Sequence, residues 1–580
     1  MADSTTAPGA QVLLDQRLEH TPGATEPTQA MIWDFIIAGG GIAGSVLSTR
    51  LAQSNPSLNI LLIEAGKNVS QHPLTSAPLD AFSEHYSELD WAYSTVPQVH
   101  VNNRNMYAAA GKALSGGSAT NYGTWTRGNK ADFNYWSQLV GDSSYNYDGW
   151  LQYFKKTESY YENTDVKQHG YNGPITAESV SSSDPNRKYP LREPLQTAWT
   201  EIGVKGVPDA NDGTPIGRAE LVEDFKNGRR QLASEAYGLG AYKNVQIVTD
   251  TLVKRVLFET KNGKKTAVGV EVANGTQYKA SKEVIISTGA YRTPQVLQLS
   301  GVGPSALLKK FNIPVVLDAP EVGNNFHDHF SACQWWKTRK PGLALGGPEW
   351  TDPAYYKGLP CDWVITQQTP AEKLKAAIKA DGGKVEGNHW LASDVAHTET
   401  LVVYAPAAAQ LVGVDVPADG TFFASCVLNM NPTSRGSIKI TSADPSTPPA
   451  IDPNYQATNV DRTIMREGMR SVMEVIQNSS VMQEFIEYEL APEGQPQLTK
   501  DSTDAEIDAR NARVGNTFFH PAGTASMGKV VDTRFKVKGV EGLRVVDASV
   551  FPTAITAHYQ AIVYALAERA AEYISGKKAC

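Results

Sequence analysis

The sequence predicts an α/β fold that begins with a Rossmann-like nucleotide-binding unit, and three observations carry the prediction. A short apolar run meets a cluster of glycines and continues as an apolar pattern at helical spacing. A second apolar run follows and ends in a carboxylate. The chain of 580 residues is also too long for one ordinary core, so two or three domains are expected.

The first element starts at Trp33, where the chain reads WDFIIAGGGIAGSVLSTRLAQ: a strand, a tight turn and a helix. Gly39, Gly41 and Gly44 supply GxGxxG. The first glycine permits the turn, the second lets backbone approach a pyrophosphate, and the third allows close helix packing, with the phosphates at the positive end of the helix. The next run, NILLIEAG, reads as a second strand whose Glu64 lies 20 residues beyond Gly44. A carboxylate there accepts ribose hydroxyls and disfavours a phosphorylated ribose. This local pattern selects FAD or NAD over NADP and does not separate the two.

Composition sets the class of partner. Apolar residues make up 41% and charged residues 20%, without charge runs or low-complexity tracts, which indicates an ordinary globular protein. A formal net charge of −8 argues against nucleic acid or an anionic membrane surface and leaves a small molecule as the expected partner. Cys333, Cys361, Cys426 and Cys580 are widely spaced with no CxxC pair, so neither a zinc site nor a disulfide framework is indicated and reduced thiols are expected. Cys426, in the apolar run TFFASCVLNM, reads as a buried strand residue. Residues 1–30 read as a flexible arm, with no basic start and apolar stretch of a secretory signal. No window of about 18 apolar residues suits a membrane span. A cytoplasmic location is the expectation, although a mature secreted chain would read the same way.

Residues 111–128, GKALSGGSATNYGTWTRG, are too glycine-rich for an element interior and read as backbone brought against a flat or phosphorylated group. Here the chain resembles the glucose-methanol-choline (GMC) oxidoreductases. Gly111, Leu114, Gly116, Ser118 and Asn121 match the first family motif, GRxLGGSSxIN, while Lys112, Ser115, Gly117 and Thr120 depart from it. EVIISTGAYRTPQVLQLSGVGP resembles the second motif through Gly289, Ala290, Thr293, Pro294, Ser300, Gly301 and Gly303. VGNNFHDH, DWAYSTVPQ, FFHPAGTASMG and LRVVDASVFP resemble four further family segments in the same order.

The resemblance implies FAD as cofactor. It places Gly111, Leu114, Ser118, Asn121, Gly123, Thr124, Asp547, Ala548 and Gln560 at the cofactor, in addition to Gly39, Gly41, Gly44 and Glu64, and puts Val253 where a valine backbone holds adenine. It also implies a discontinuous layout. Residues 31–160, 235–330 and 511–580 would form the FAD-binding domain of the GMC fold, and 161–234 with 331–510 an inserted α+β substrate-binding domain. Trp335, Trp336, Trp350, Trp363 and Trp390 fall in the insert, where core packing competes with a place in a pocket lining.

Oxidising an alcohol requires loss of the hydroxyl proton and of a hydride from the same carbon; flavin takes the hydride and a base takes the proton. Histidine suits the second task because its unperturbed pKa lies near working pH. His520 occupies the family's HPAGT-type segment, and His558 the position where relatives carry His or Asn. The resemblance makes His520 the general base and His558 its partner, a pattern closer to aryl-alcohol and hydroxymethylfurfural-type oxidases than to choline-type enzymes. After His558, YQAIVYALAERAAEYISG reads as a helix that begins at the site and directs partial positive charge towards it. His327 and His329 read as structural or supporting residues, and no metal site is expected. The expected activity is FAD-dependent oxidation of a small-molecule alcohol, with O2 or another acceptor restoring the flavin. The competing reading is a non-redox or photochemical enzyme on the same fold: a lyase, a decarboxylase, or a cyclase of fungal secondary metabolism.

Overall fold

A computed structural model describes residues 31–161 and 167–576. The expected N-terminal arm and Cys580 lie outside the described residues. Two seven-stranded sheets organise the rest.

The first sheet has the expected Rossmann-like core. Ile32–Ala38 pairs in parallel with Ile60–Ile63 on one side and Gln277–Ile286 on the other. Val245–Val248 and Leu543–Val545 add further parallel strands, and Val253–Lys261 with Lys264–Val272 extend the sheet as an antiparallel hairpin. Ile36, Ile37, Leu61, Leu62, Val284 and Ile285 are fully buried, as continuous apolar runs must be in a parallel sheet covered on both faces. Helix Ile42–Ser54 packs beside the C-terminal helix Gln560–Ser575, and Arg50 joins Glu568 across them at 2.7 Å.

The strands of this sheet end together, so the residues that follow them converge at one edge: Gly39, Glu64, Thr251, Ser287 and Asp547. Ligands bind in open α/β sheets at this carboxyl edge.

The second sheet is antiparallel, in the order Ile486–Leu490, Phe330–Thr338, Phe422–Asn429, Thr398–Val403, Trp363–Gln367 and Gly217–Glu220, with Asn516–Thr517 also paired to Phe330–Thr338. Helix Asn459–Met473 packs on this sheet, and Ser331, Cys333, Leu401, Val403 and Cys426 face the central cleft. Sequence segments expected to form the cofactor domain supply the first sheet. The second draws all its strands from the expected insert except Asn516–Thr517 and the first residue of Phe330–Thr338. None of the five tryptophans of the insert lines the cleft; Trp335, Trp336 and Trp350 are buried in the core of the second domain.

One expectation is overturned. Cys333 and Cys426 sit opposite each other in the antiparallel pair Phe330–Thr338/Phe422–Asn429 and form a disulfide. Their separation of 93 residues hid a pairing created by strand register alone. Cys361 is free and buried. Alkylation of the denatured, unreduced protein should therefore leave Cys333 and Cys426 unlabelled. Replacing both by Ala should lower stability by roughly 2–4 kcal/mol, measured as a lower thermal midpoint than that of the unreduced parent.

Candidate active site

The carboxyl edge of the first sheet and the inner face of the second enclose a continuous cleft of about 380 Å3, within the roughly 300–1,000 Å3 of a ligand pocket. It runs from Gly39 and Glu64 to His520 and His558.

The cofactor half is built from backbone. A Cβ on Gly44 would lie 1.9 Å from the Gly39 carbonyl, so only glycine lets helix Ile42–Ser54 start this close to the turn. Gly116, at φ +53°, brings its Cα towards Gly41, where a Cβ would sit 2.7 Å from the Gly41 Cα. Two glycine-rich segments thus face each other over the floor of the cleft. Glu64 stands at the end of its strand with both oxygens held: Gly40 N–H donates to Oε2 at 2.7 Å and Gly66 N–H to Oε1 at 2.8 Å. Burial raises its pKa, and the backbone donors oppose that.

Of the residues expected at the cofactor, Gly39, Gly41, Glu64, Gly111, Asn121, Gly123, Thr124, Val253, Asp547, Ala548 and Gln560 line the cleft. Gly44, Leu114 and Ser118 do not. Leu114 packs against Gly40, and the Ser118 hydroxyl accepts from Ala233 N–H and donates to the Ser115 carbonyl, so these two shape the wall from behind. Asp547 caps its own turn through Ser549 N–H and accepts from Gly289 N–H and the Thr293 hydroxyl, which ties the second glycine motif to the C-terminal segment. Asn121 donates to the Gln560 side chain at 2.9 Å. A buried carboxylate at a strand end, a floor of close-packed glycine backbone and a cleft that reaches two histidines fit an extended FAD molecule.

The other half of the cleft holds His520 and His558, with ring centroids 4.8 Å apart. His520 follows Phe519, whose φ of +62° is a genuine outlier for a bulky residue; such strain persists where the surroundings over-determine the backbone. Asp328 is the surrounding anchor: it accepts from His520 N–H at 2.8 Å and from the hydroxyls of Thr517 and Tyr455. Its own carboxyl is pushed up to about 6 by burial, against those donors.

Each histidine has one ring nitrogen tied down. Nδ1 of His520 lies 2.9 Å from Nδ1 of His329, whose Nε2 meets the Tyr559 hydroxyl at 3.2 Å. Nε2 of His558 is 2.7 Å from Glu399 Oε1, and its backbone N–H donates to the Thr126 hydroxyl. This leaves Nε2 of His520 and Nδ1 of His558 available to the cleft. Burial holds His520 well below the ordinary imidazole pKa, and the neighbouring His558 and His329 push the same way. Burial likewise brings His329 down to about 3. Nε2 of His520 can accept a proton only if Nδ1 carries one, so the base-competent state has Nδ1–H of His520 donating to His329.

Sequence reasoning missed Glu399, Tyr559 and Asp328, and placed His329 only as supporting. Glu399 had a signal: an acid inside TETLVV, an otherwise apolar strand run, has to be buried with a partner. Among the described residues, no group of three or more His, Cys, Asp or Glu is arranged to hold a metal ion.

Residues 33–331 and 432–567 match the two sequence patterns described as GMC oxidoreductase. The chain is 40% identical over 545 residues to the GMC-type oxidoreductase acuG of Aspergillus aculeatus, covering 93% of this chain and 99% of that protein. It is 32% identical to the oxygen-dependent choline dehydrogenase of Burkholderia lata, with 94% of each chain covered. Among solved structures, a formate oxidase variant from Aspergillus oryzae superposes with a TM-score of 0.83 at 28% identity, covering 94% of this chain and 98% of that one.

Proposed function

The chain belongs to the GMC oxidoreductases, FAD-dependent enzymes acting on CH–OH donors, and from that premise we propose that it oxidises an alcohol to an aldehyde or ketone with His520 as general base and O2 as the final acceptor. The observation that carries this reading is the pair of adjacent histidines, each anchored through one nitrogen and open to the cleft through the other. FAD supplies the hydride acceptor when bound. Nε2 of His520 takes the hydroxyl proton, and the resulting imidazolium remains bonded through Nδ1–H to His329. His558, held by Glu399, directs Nδ1 to the same oxygen and, when protonated there, donates a hydrogen bond to the charge that develops on it. The apolar walls and the buried anchors keep both rings in place and limit access of water.

Anaerobic mixing of the FAD-loaded protein with a panel of alcohols tests the reading: the oxidised flavin absorbance should bleach, and admitting air should restore it with formation of hydrogen peroxide. Product formation without bleaching would favour non-redox use of the fold, and recovery only with an added quinone would make the enzyme a dehydrogenase.

The pKa of His520 makes a further prediction. A base with a depressed pKa stays neutral, and so competent, as pH falls through the usual histidine range. The rate of flavin reduction should stay level between about pH 7 and pH 6, around the unperturbed value of about 6.5, and fall only at lower pH. A rate that halves near pH 6.5 would contradict the depressed pKa.

A further inference from the structure

The rim of the cleft carries a buried carboxyl that none of the chemistry above uses. Residues 82–86 run along the edge of the catalytic half. Tyr86 faces outwards, 64% exposed, and stacks on Tyr107 at 4.1 Å. Phe82 packs on Tyr122 at 5.1 Å, and His85 on Phe519, the residue before His520, at 5.4 Å. His85 also bridges two hydroxyls, Tyr107 at Nδ1 (3.0 Å) and Tyr122 at Nε2 (2.6 Å). The segment is therefore fixed against the same walls that hold the catalytic base.

Between these anchors Glu84 turns inwards. It lines the cleft, is 2% exposed, and among the described residues neither oxygen has a hydrogen-bond partner. Nη2 of Arg230 stands 3.8 Å away. That guanidinium spends Nη1 on Asn121 and Ser118, while its Nε and Nη2 are also without hydrogen bonds. Leaving a buried polar group unsatisfied costs about 1–3 kcal/mol, more for a charged one. A buried group left unpaired in this way calls for an explanation, and a few convergent polar groups in an otherwise apolar pocket are what orient a ligand. The opposite wall, formed by Ser331, the Cys333–Cys426 disulfide, Leu401, Val403 and Ala407, carries no charge.

We propose that Glu84 forms a second polar subsite, one that receives a hydroxyl group of the substrate remote from the carbon being oxidised. Resting on the alcohol-oxidation reading above, this names the substrate class: diols with an apolar body. Burial pushes the Glu84 carboxyl up to about 8, with Arg230 opposing, so it is largely protonated at neutral pH and both donates and accepts, as a hydroxyl does. An ammonium group fits less well, because Arg230 already stands beside the carboxyl.

The test uses the FAD-loaded protein under anaerobic conditions, titrated with the series from 1-butanol to 1-decanol and with the α,ω-diols of the same lengths, reading both perturbation of the flavin spectrum (Kd) and bleaching. At the matching chain length the diol should bind about 10-fold more tightly than the mono-alcohol, the worth of one hydrogen bond to such a group. Glu84→Leu should remove that preference, and Glu84→Gln should keep part of it, with FAD content unchanged in both. Equal affinity for diol and mono-alcohol in the parent protein, or a preference that survives Glu84→Leu, overturns the proposal. So does a Glu84→Leu effect confined to FAD retention, which would assign the carboxyl to the cofactor. A Glu84-dependent diol preference without bleaching would leave the subsite standing and remove the alcohol-oxidation reading instead.

Discussion

His520→Ala should retain FAD while slowing flavin reduction by roughly 10²–10⁴-fold, the usual contribution of a positioned general base. Retention follows from the layout of the cleft, in which the glycine segments around Gly39 and Gly116 and the carboxylate of Glu64 are separate from the His520 loop. The loss of rate follows from chemistry. Alanine removes the one open ring nitrogen of His520 and leaves His329 without its partner at Nδ1. The measurement is stopped-flow absorbance at saturating alcohol, normalised to bound flavin. A variant that reduces flavin at nearly the parent rate would transfer the base role to His558, whose free Nδ1 faces the same space.

The cofactor half of this site was legible in the sequence because its constraints are local. A strand, a glycine turn and an acid lie within 33 residues of one another (Ile32 to Glu64), and backbone requirements leave a mark on residue type. The first family motif is legible in a weaker sense: Gly111, Asn121, Gly123 and Thr124 reach the cleft, whereas Leu114 and Ser118 serve it from behind, and a motif does not separate contact from support. The catalytic half depends on long-range pairing. His558 and Glu399 are 159 positions apart, His520 and His329 are 191 apart, and each pair exists only because a strand of the second sheet passes over the carboxyl edge of the first. The Cys333–Cys426 bond has the same origin, since register on neighbouring strands has no signature in spacing. Glu84 was silent for another reason: nothing about an isolated acid in a polar stretch says that its side chain will turn inwards without a partner.

Glu399→Gln is the sharper probe of that long-range pairing, and its effect should be nearly as large, a roughly 10²-fold slower flavin reduction. The Glu399 carboxylate, 1% exposed on strand Thr398–Val403, can only accept hydrogen bonds, so it pins a proton on Nε2 of His558. Glutamine has the same shape but no charge, so it withdraws the counter-charge that supports a protonated His558 beside the alkoxide. The loss is that of one charge-stabilising donor, which costs about 10²–10³-fold at comparable sites. Glu399→Leu separates orientation from stability: it strands the Nε2–H in the interior at a cost of about 1–3 kcal/mol, so that variant should be both slow and less stable, whereas Glu399→Gln should be slow with a near-parental thermal midpoint. A loss confined to the rate of flavin reduction, with alcohol affinity and FAD content at parental values, is the readout that a packing role would not produce. Parent-like rates in Glu399→Gln would reduce the 2.7 Å contact to a structural tie between the two domains.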